Sequence, residues 1–314
     1  YSHLHGWISL FVCIFGSIAN VLNILVLTRR EMRSPTNIIL MGLAVADLLV
    51  MIDYIPYAFH FYLYRRSRRD TFTYGWTIFV LFHSNFSQVC HTISICLTLI
   101  LAVWRYVAVA RPQQNREWCS YRRTIFAILI AYIFCPILCI PLYITTEVRK
   151  QVELLDSNGM TVHNRNKSLI GYELNFWIYS VVIKLFPCLV LTIVSLKLLQ
   201  VLLEAKRRRR KLTNIQEQNF EKKKSCRRAD KERQTDRTTM MLLAVLLLFL
   251  LTELPQGILG LFSVLLGPRF FKACYLMLGD VIDMLTLVNS AINFILYCTM
   301  SRQFRKTFNE LFCK

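Results

Sequence analysis

The chain has 314 residues, of which 55% are hydrophobic and only 18% are charged, and its mean hydropathy is +0.41. A soluble domain carries about 25% charged residues, so this composition excludes an ordinary soluble protein and indicates a membrane protein. The net charge of +19 lies mainly in short connections between apolar runs. That placement argues against a nucleic-acid-binding protein, in which basic residues gather on one soluble face.

Seven apolar runs are long enough to cross the ~30 Å hydrocarbon core of a bilayer, which takes about 20 helical residues. The predicted spans are residues 7–27, 38–60, 77–103, 124–144, 174–202, 239–266 and 274–298. The predicted fold class is an all-α membrane protein: a seven-transmembrane helix bundle in a single domain over residues 1–314. Because the chain begins at Tyr1 without a methionine, we expect an extracellular tail before it.

The distribution of basic residues predicts the orientation of the bundle. The connections after the first, third and fifth spans, together with the tail, hold more than twice as many Lys and Arg residues as the other connections. The positive-inside rule then predicts a plasma-membrane protein with its amino terminus outside the cell and its carboxyl terminus in the cytoplasm. The basic sequence RRSRRD at residues 65–70 is the one misfit, because this topology places it outside.

Two connections have features of their own. The intracellular segment 204–237 is strongly basic, and either a solvated loop near anionic lipid or a docking surface for a partner explains its charge. The extracellular segment 147–173 contains the turn sequence SNG, which suits a hairpin. It also contains NKS, which makes Asn166 a candidate glycosylation site.

The cysteines predict buried thiols rather than disulfides, and the tail predicts a contact with lipid. Most of the eleven cysteines fall within spans or on the cytoplasmic side, where buried thiols act as small apolar side chains. After the last span, phenylalanine and leucine recur at helical spacing among basic residues, which predicts an amphipathic helix over residues 301–312 on the inner leaflet. Cys313 follows it directly and is a candidate palmitoylation site.

A polar cluster is predicted around Asp47 in the second span. A charged side chain in a span costs ~2.5–3.5 kcal/mol on insertion, so Asp47 should face the bundle interior. One carboxylate among neutral oxygens suits a sodium ion or a proton, whereas the alternative is a hydrogen-bonded core that fixes helix register. The neutral partners expected from the other spans are Asn20, Ser94, Asn289, Ser290 and Asn293.

Further polar residues predict a pocket that opens to the outside. Pro187 and Pro255 each remove a backbone hydrogen bond and predict kinks. Glu253, two residues before Pro255, needs a cation if it is ionised, either a ligand group or Lys184. The predicted lining is Asp280 and Asp283, which share one helix face, with Asp53, Gln88, His91 and Gln256. We find no nucleophile triad, zinc-ligand spacing or phosphate loop, so we do not expect an enzyme.

Several motifs occur in the order typical of one receptor family. With GSIAN, LAVAD, WRY, a proline in the fifth and sixth spans, and NSAINFILY, the whole chain resembles rhodopsin-like G-protein-coupled receptors. More narrowly, NILVLTRREMRSPTNIILMGLAVADLLVM, YIPY, QVCHTISICLTLILAVWRYVAV and TELPQGILGLF resemble the myosuppressin and FMRFamide-like neuropeptide receptors of invertebrates. The resemblance implies an amidated peptide ligand and, inside the cell, a heterotrimeric G protein of the Gi/o class, arrestin and a receptor kinase.

The same resemblance assigns a switch region and shows where this chain departs from the family. Arg105 matches the family's arginine, but Trp104 stands where an acidic partner is usual, and the second usual acid is Thr235, with Asp236 beside it. We therefore expect raised basal activity unless Trp104 stacks on Arg105. The residues expected to switch or to meet the G protein are Trp104, Arg105, Tyr106, Arg207, Arg208, Pro255 and Tyr297.

Other departures concern the ends of the bundle and the ligand. Phe294 replaces a proline, Glu253 replaces a tryptophan, and Val80 replaces the cysteine of the usual outer disulfide. Leu287 stands where opsins need a lysine, and Ser87 stands where amine receptors need an aspartate.

The ligand implied by the resemblance ends in Arg-Phe-amide. Its guanidinium should pair with Asp283 and Asp280, then with Glu253. Its amide terminus should lie deeper, among Tyr54, Tyr57, Gln88, His91 and Gln256. Two rivals stay open: a chemosensory receptor with an apolar pocket for small molecules, and a transporter, which would usually show repeat symmetry and paired broken helices.

Overall fold

The computed structural model describes residues 2–64, 73–145, 177–216, 244, 247–263, 265–267, 270 and 276–312, and these residues are helices joined by short turns. The α-helices are α1 Ser2–Leu27, α2 Pro35–Ala58, α3 Tyr74–Ala110, α4 Pro112–Trp118, α5 Tyr121–Leu138, α6 Ile140–Thr145, α7 Phe186–Gln216, α8 Leu247–Ser263, α9 Leu276–Met300 and α10 Arg302–Phe312. A π-helical segment, Phe59–Leu63, extends α2, and a second, Ile178–Leu185, leads into α7. The predicted fold class, an all-α seven-helix membrane bundle, is confirmed.

Within these described ranges, six helices are long and apolar enough to cross a bilayer, and α8 is a shorter apolar helix. The helix α7 continues to Gln216, so the first part of the basic connection 204–237 is an extension of a spanning helix. Lys, Arg and Leu are good helix formers, and no Gly or Pro interrupts this stretch. Arg207 and Arg208 lie in this extension of α7.

Local sequence explains where two of the helices begin and end. Ser34 caps α2, because its hydroxyl accepts a hydrogen bond from the Asn37 backbone N–H at 3.2 Å, and Pro35 follows at the first helical position. At the end of α9, the Arg305 guanidinium donates to the carbonyls of Cys298 and Thr299 at 2.9 and 2.8 Å. These bonds satisfy the last carbonyls of α9 and hold α10 against its end.

The helix α10 packs its apolar face against the bundle. Phe304 is buried, and its ring lies 5.8 Å from that of Tyr297 and 6.0 Å from that of Phe294. Phe294 also contacts Phe308, with ring centroids 5.9 Å apart. The helix α9 runs without interruption through Phe294, so the phenylalanine at the usual proline position serves as a packing surface for α10.

The core and the lipid-facing surface are both apolar, as expected of a bundle in a bilayer. Ile39, Leu97 and Leu101 are fully buried, whereas Phe11 and Phe126 are largely exposed on the outside of the bundle. The closest helix neighbours are α1 with α2, α2 with α3, and α1 with α9. Since helices in lipid gain little from apolar burial, such packing depends on close fit and on polar contacts between helices.

The π-helical segment before α7 lies unusually close to α8. A side chain at Gly260 would collide with the Ser180 hydroxyl, and one at Gly257 would lie 3.0 Å from the Leu185 side chain. Glycine therefore permits this close approach, because a larger residue at either position would require Ser180 or Leu185 to shift. The widened π geometry comes just before Pro187, whose ring cannot donate to the helix ladder.

Candidate functional site

Acidic side chains meet histidine and tyrosine at the end of the bundle where α1 begins, here called the amino end. Asp53 Oδ2 lies 2.6 Å from His83 Nδ1, and both side chains are buried. The His83 ring stacks on Tyr57 with centroids 4.3 Å apart, and Tyr54 meets it edge-on at 5.6 Å. Asp53 was predicted to line an open pocket, and the structure places it, buried, in a pair with His83, which α3 brings opposite it.

The two aspartates of α9 differ in their surroundings. The Tyr62 hydroxyl donates to Asp280 Oδ1 at 3.0 Å, and the His5 ring meets Tyr62 edge-on at 4.8 Å. Asp283 is exposed, and among the residues that the structure describes it accepts no hydrogen bond and forms no ion pair. It lies close enough to Asp280, His83 and Lys184 to interact electrostatically with all three. Asp283 is therefore the acidic side chain of the amino end that has no polar partner among the described residues.

A second cluster, here called the hinge cluster, consists of Lys184, His91, Glu253 and Gln256. Lys184 Nζ donates to Glu253 Oε2 at 2.6 Å and to Gln256 Oε1 at 2.9 Å. His91 Nε2 lies 3.0 Å from the same carboxylate. Lys184 and Glu253 are fully enclosed, with exposed fractions of 1% and 0%. The cation that Glu253 needs is thus Lys184.

That pairing shows where three residues of the predicted pocket lining are placed. Glu253 was expected to be the third choice for a ligand guanidinium, but its carboxylate is buried and already holds an ammonium group. His91 and Gln256, expected near the ligand amide, are buried in the same cluster. The remaining deep residue, Gln88, is half-buried and donates to Thr92 on its own helix at 3.4 Å.

Two residues of these clusters, His83 and Tyr62, were not predicted from the sequence, whereas Lys184 was one of two alternatives for the cation beside Glu253. His83 precedes His91 by eight residues on α3, about two helical turns, so the same helix face was a signal that could have identified it. Tyr62 lies in a π-helical segment, where ordinary helical periodicity fails to predict the face. The hydroxyl of Tyr54 is buried with no hydrogen-bond partner among the described residues.

The polar core around Asp47 brings most of its predicted members together. Asp47 Oδ1 accepts from the Ser94 hydroxyl at 3.0 Å, and Oδ2 accepts from the Asn293 amide at 3.1 Å. Asn20 donates to the Ser290 carbonyl at 3.1 Å, and Asn289 is half-buried nearby in sequence. The Asn20 side-chain oxygen is buried without a partner in the described part of the chain. A carboxylate, a hydroxyl and amide oxygens form a set of donors that fits a hard cation such as Na⁺.

At the opposite end of the bundle, Trp104 and Arg105 differ in their hydrogen bonding. The Trp104 indole N–H donates to the Thr124 hydroxyl on α5 at 3.0 Å. Arg105 is half-buried, and its Nε and one terminal nitrogen are buried without a hydrogen-bond partner in the ranges described. Among the described residues, the Trp104 ring does not stack on the Arg105 guanidinium. Tyr106 is half-buried, and Tyr297 is buried with its hydroxyl unpartnered among the same residues.

The cysteines of the described ranges are free thiols: Cys13, Cys90, Cys96, Cys119, Cys135, Cys139, Cys188 and Cys298. In the turn between α4 and α5, outside the spans, burial raises the pKa of the Cys119 thiol. No group of histidine, cysteine and acidic side chains in these ranges could hold a metal ion. The predicted sites Asn166 and Cys313, the residues Thr235 and Asp236, and the SNG turn lie outside the described residues.

Comparison with known proteins identifies the family. Residues 7–314 match the family model of the serpentine type 7TM GPCR chemoreceptor Srw. The chain is 29% identical to the G-protein coupled receptor dmsr-1 of Caenorhabditis elegans, over 99% of this chain and 68% of that protein. It is 31% identical to the sex peptide receptor of Drosophila melanogaster, over 98% of this chain and 72% of that protein. The FMRFamide receptor of the same fly is 24% identical, over 96% of this chain and 52% of that receptor.

The match to the family model covers nearly the whole chain, and the described helices are long and apolar enough for a multi-pass membrane protein. A signalling receptor of this kind is not an enzyme, and the transporter alternative is not supported by any of these similarities. The buried charges at Lys184 and Glu253 form a pair within the bundle. The chain belongs to the serpentine seven-transmembrane G-protein-coupled receptor family Srw.

Proposed function

We propose that this protein is a receptor for an extracellular amidated neuropeptide of the myosuppressin or FMRFamide-like class and that it signals to a heterotrimeric G protein. The observation that carries the proposal is Asp283, an exposed residue at the amino end of the bundle whose side chain has no hydrogen bond or ion pair among the described residues. The names of the sex peptide receptor and the FMRFamide receptor, both similar to this chain, support a peptide ligand. The proposal places the amino end outside the cell, as the positive-inside rule requires.

In this proposal a ligand arginine pairs with Asp283. A guanidinium forms bidentate, charge-assisted hydrogen bonds with a carboxylate, and Asp280 adds a second negative charge one helical turn away. Tyr62, which bonds Asp280, meets the Tyr57 ring edge-on, and Tyr57 in turn stacks on His83, so an aromatic ligand residue would find edges and faces to pack against. An apolar odorant, by contrast, would gain nothing from two carboxylates that it cannot pair.

The test is a second-messenger assay on the full-length receptor with a panel of amidated Arg-Phe peptides and their free acids. For the most potent peptide, Asp283→Asn should weaken potency by at least about 30-fold, because an unpaired guanidinium loses ~2–5 kcal/mol. Surface expression should stay at the wild-type level, since Asp283 is exposed. Glu31→Gln, which changes an exposed acid outside the amino end, is the matched control and should leave potency unchanged.

A ligand variant makes the assay specific for the ion pair. Replacing the peptide arginine with citrulline keeps the shape but removes the charge, so Asp283→Asn should then have little additional effect on potency. If Asp283→Asn and wild type respond alike to the arginine peptide, the assignment of Asp283 fails. If a small apolar molecule activates both equally and no peptide activates either, the chemosensory alternative, which fits the family's description, replaces the peptide.

The Asp47 network is proposed to bind a sodium ion that stabilises the resting receptor. Asp47, Ser94 and Asn293 would hold it, with the unpartnered Asn20 oxygen nearby, and the ion would supply a positive charge that offsets the buried carboxylate. Agonist affinity should then fall as sodium replaces potassium in the buffer, and Asp47→Asn should abolish that dependence. The alternative, a polar core without an ion, predicts equal affinities in the two buffers.

Coupling to Gi/o, regulation by arrestin and a receptor kinase, glycosylation at Asn166 and palmitoylation at Cys313 complete the proposal. Each rests on sequence motifs or on family resemblance. Asn166→Gln should remove a glycosidase-sensitive mass, and Cys313→Ser should remove a hydroxylamine-sensitive acyl group. Pertussis toxin should block the response if the G protein is of the Gi/o class.

A further inference from the structure

Pro255 interrupts the backbone hydrogen bonds of α8, and Lys184 bonds to residues on both sides of this interruption. Proline lacks a backbone N–H, so the bond to the carbonyl one turn earlier is missing and the helix can bend there. Lys184 Nζ bonds Glu253, which precedes Pro255, and Gln256, which follows it. One ammonium group of the π-helical segment therefore holds the residues on both sides of the hinge.

The position of Lys184 is itself fixed. The π-helical segment Ile178–Leu185 packs backbone-close against Gly257 and Gly260 of α8. Gly257 touches the Lys184 side-chain stem as well, since a side chain added there would lie 3.2 Å from Lys184 Cβ. The part of α8 after Pro255 and the π-helical segment thus form one packed unit. The bond from Lys184 to the Glu253 carboxylate links this unit to the part of α8 before Pro255.

The same carboxylate ties a third helix into the arrangement. His91 of α3 lies 3.0 Å from Glu253, and Arg105 lies fourteen residues, about four turns, further along α3. The segment of α8 before Pro255 lies toward the end of the bundle that contains Arg105. A bend at Pro255 that moves this segment away from α3 and α7 must displace Glu253 from His91, Lys184 or both. Both charged side chains are enclosed, and separating a buried ion pair is strongly unfavourable.

We propose that Lys184 and Glu253 form an ionic clamp across Pro255 that holds α8 in the observed conformation and limits signalling in the absence of ligand. Lys184 is in this sense a positioning residue, which acts on the coupling end of the bundle through α8. The inference rests on the receptor family and on the geometry of the hinge cluster. It does not depend on the chemistry of the ligand, so it can fail or succeed separately from the peptide proposal.

The experiment measures ligand-free nucleotide exchange on a purified heterotrimer by the full-length receptor in lipid nanodiscs. The first variant replaces both charges with neutral side chains of similar size, Lys184→Met with Glu253→Gln, so that neither member of the pair is left as an uncompensated charge. The second reverses the pair, Lys184→Glu with Glu253→Lys. Lys197→Met is the control, because Lys197 is an exposed lysine on the same helix. All rates are normalised to folded receptor.

The neutral pair should raise ligand-free exchange by about tenfold, since loss of the clamp by as little as ~1.4 kcal/mol shifts the two-state equilibrium that far. The reversed pair should return the rate to within about twofold of wild type, and the control should not change it. Spin labels on unnatural amino acids at the exposed positions 203 and 247 should report a longer distance between α7 and α8 in the neutral pair.

Two results would overturn the clamp. One is a well-expressed neutral pair with wild-type exchange and wild-type label distances. The other is a reversed pair that signals at the level of the neutral pair, which would show that charge complementarity is irrelevant. If the neutral pair does not reach the membrane, Glu253→Gln alone provides the readout. It keeps an acceptor for Lys184 and should still raise exchange, and an unchanged rate in this variant counts equally against the proposal.

Discussion

Trp104 donates its indole N–H to the hydroxyl of Thr124, 3.0 Å away on α5, so the residue directly before Arg105 is held by a different helix and gives the guanidinium no charge partner. Two of the Arg105 nitrogens are buried and lack hydrogen bonds to any described residue. Buried donors without acceptors are unfavourable. The observed conformation is therefore less stable at this end than it would be with an acid beside Arg105.

Replacing Trp104 with aspartate should lower ligand-free signalling. The carboxylate would pair with Arg105 and stabilise the resting state by ~1–3 kcal/mol, about the value of a charge-assisted hydrogen bond. Nucleotide exchange without ligand is the measurement. Trp104→Asn is the matched control, because it removes the indole without adding a charge, and equal basal rates in the Asp and Asn variants would contradict the prediction.

The pair of Asp53 and His83 should stabilise the amino end of the bundle. Asp53→Asn weakens a buried contact of 2.6 Å, and we expect it to destabilise the purified receptor by ~1–3 kcal/mol, which lowers its thermal unfolding midpoint. His83→Asn should have a similar effect. The double variant should lose less than the sum of the two single variants. Strictly additive losses would mean that the two side chains do not depend on each other.

Gly260→Ala should disturb the contact between the π-helical segment and α8. The new methyl group would collide with the Ser180 hydroxyl, and overpacking of this kind costs ~1–3 kcal/mol. Thermal unfolding of the receptor is the readout, and Ser180→Gly in the same chain should restore most of the loss. Gly75→Ala is the control, since nothing lies within 4 Å of a side chain added at Gly75. Failure of the Ser180 change to rescue would refute the predicted contact.

Phe304→Ala should detach α10 from the end of the bundle. Phe304 is buried against Tyr297 and Phe294, and removal of a buried phenylalanine costs ~3–5 kcal/mol. Hydrogen exchange of α10 amides should rise sharply, while that of α1 stays unchanged. Phe312→Ala, at an exposed position of the same helix, should leave exchange over most of α10 near the wild-type level. Similar protection in both variants would be evidence against anchoring through Phe304.

Much of this architecture could be predicted from apolar patterning. Hydropathy identifies the spans because a bilayer imposes a length and a composition on each helix. The grouping of Asp47 with Ser94 and Asn293 also follows, because a seven-helix arrangement allows few partners for one buried carboxylate. The amphipathic pattern of Phe304 and Phe308 predicts α10 for the same kind of reason.

The pairings at the amino end could not be predicted in that way. They depend on how each helix is rotated about its axis, and π-helical segments change that rotation at Tyr62 and at Lys184. A pattern that assumes 3.6 residues per turn loses register at such segments. For that reason the sequence left two partners open for Glu253, one of them Lys184 in such a segment. The contact of Asp53 with His83 depends on the rotation of α2 against α3, which the sequence does not specify.

The burial of Lys184 and Glu253 has a consequence for biosynthesis. The two residues are 69 positions apart, so each enters the bilayer on its own helix before it can meet the other. An unpaired charge at membrane depth costs ~2.5–3.5 kcal/mol, which the apolar residues around it must outweigh during translocon release. Pairing of the two charges offsets this cost only when the later-inserted helix docks at one rotation and one depth. The pair therefore favours that arrangement as the nascent receptor assembles.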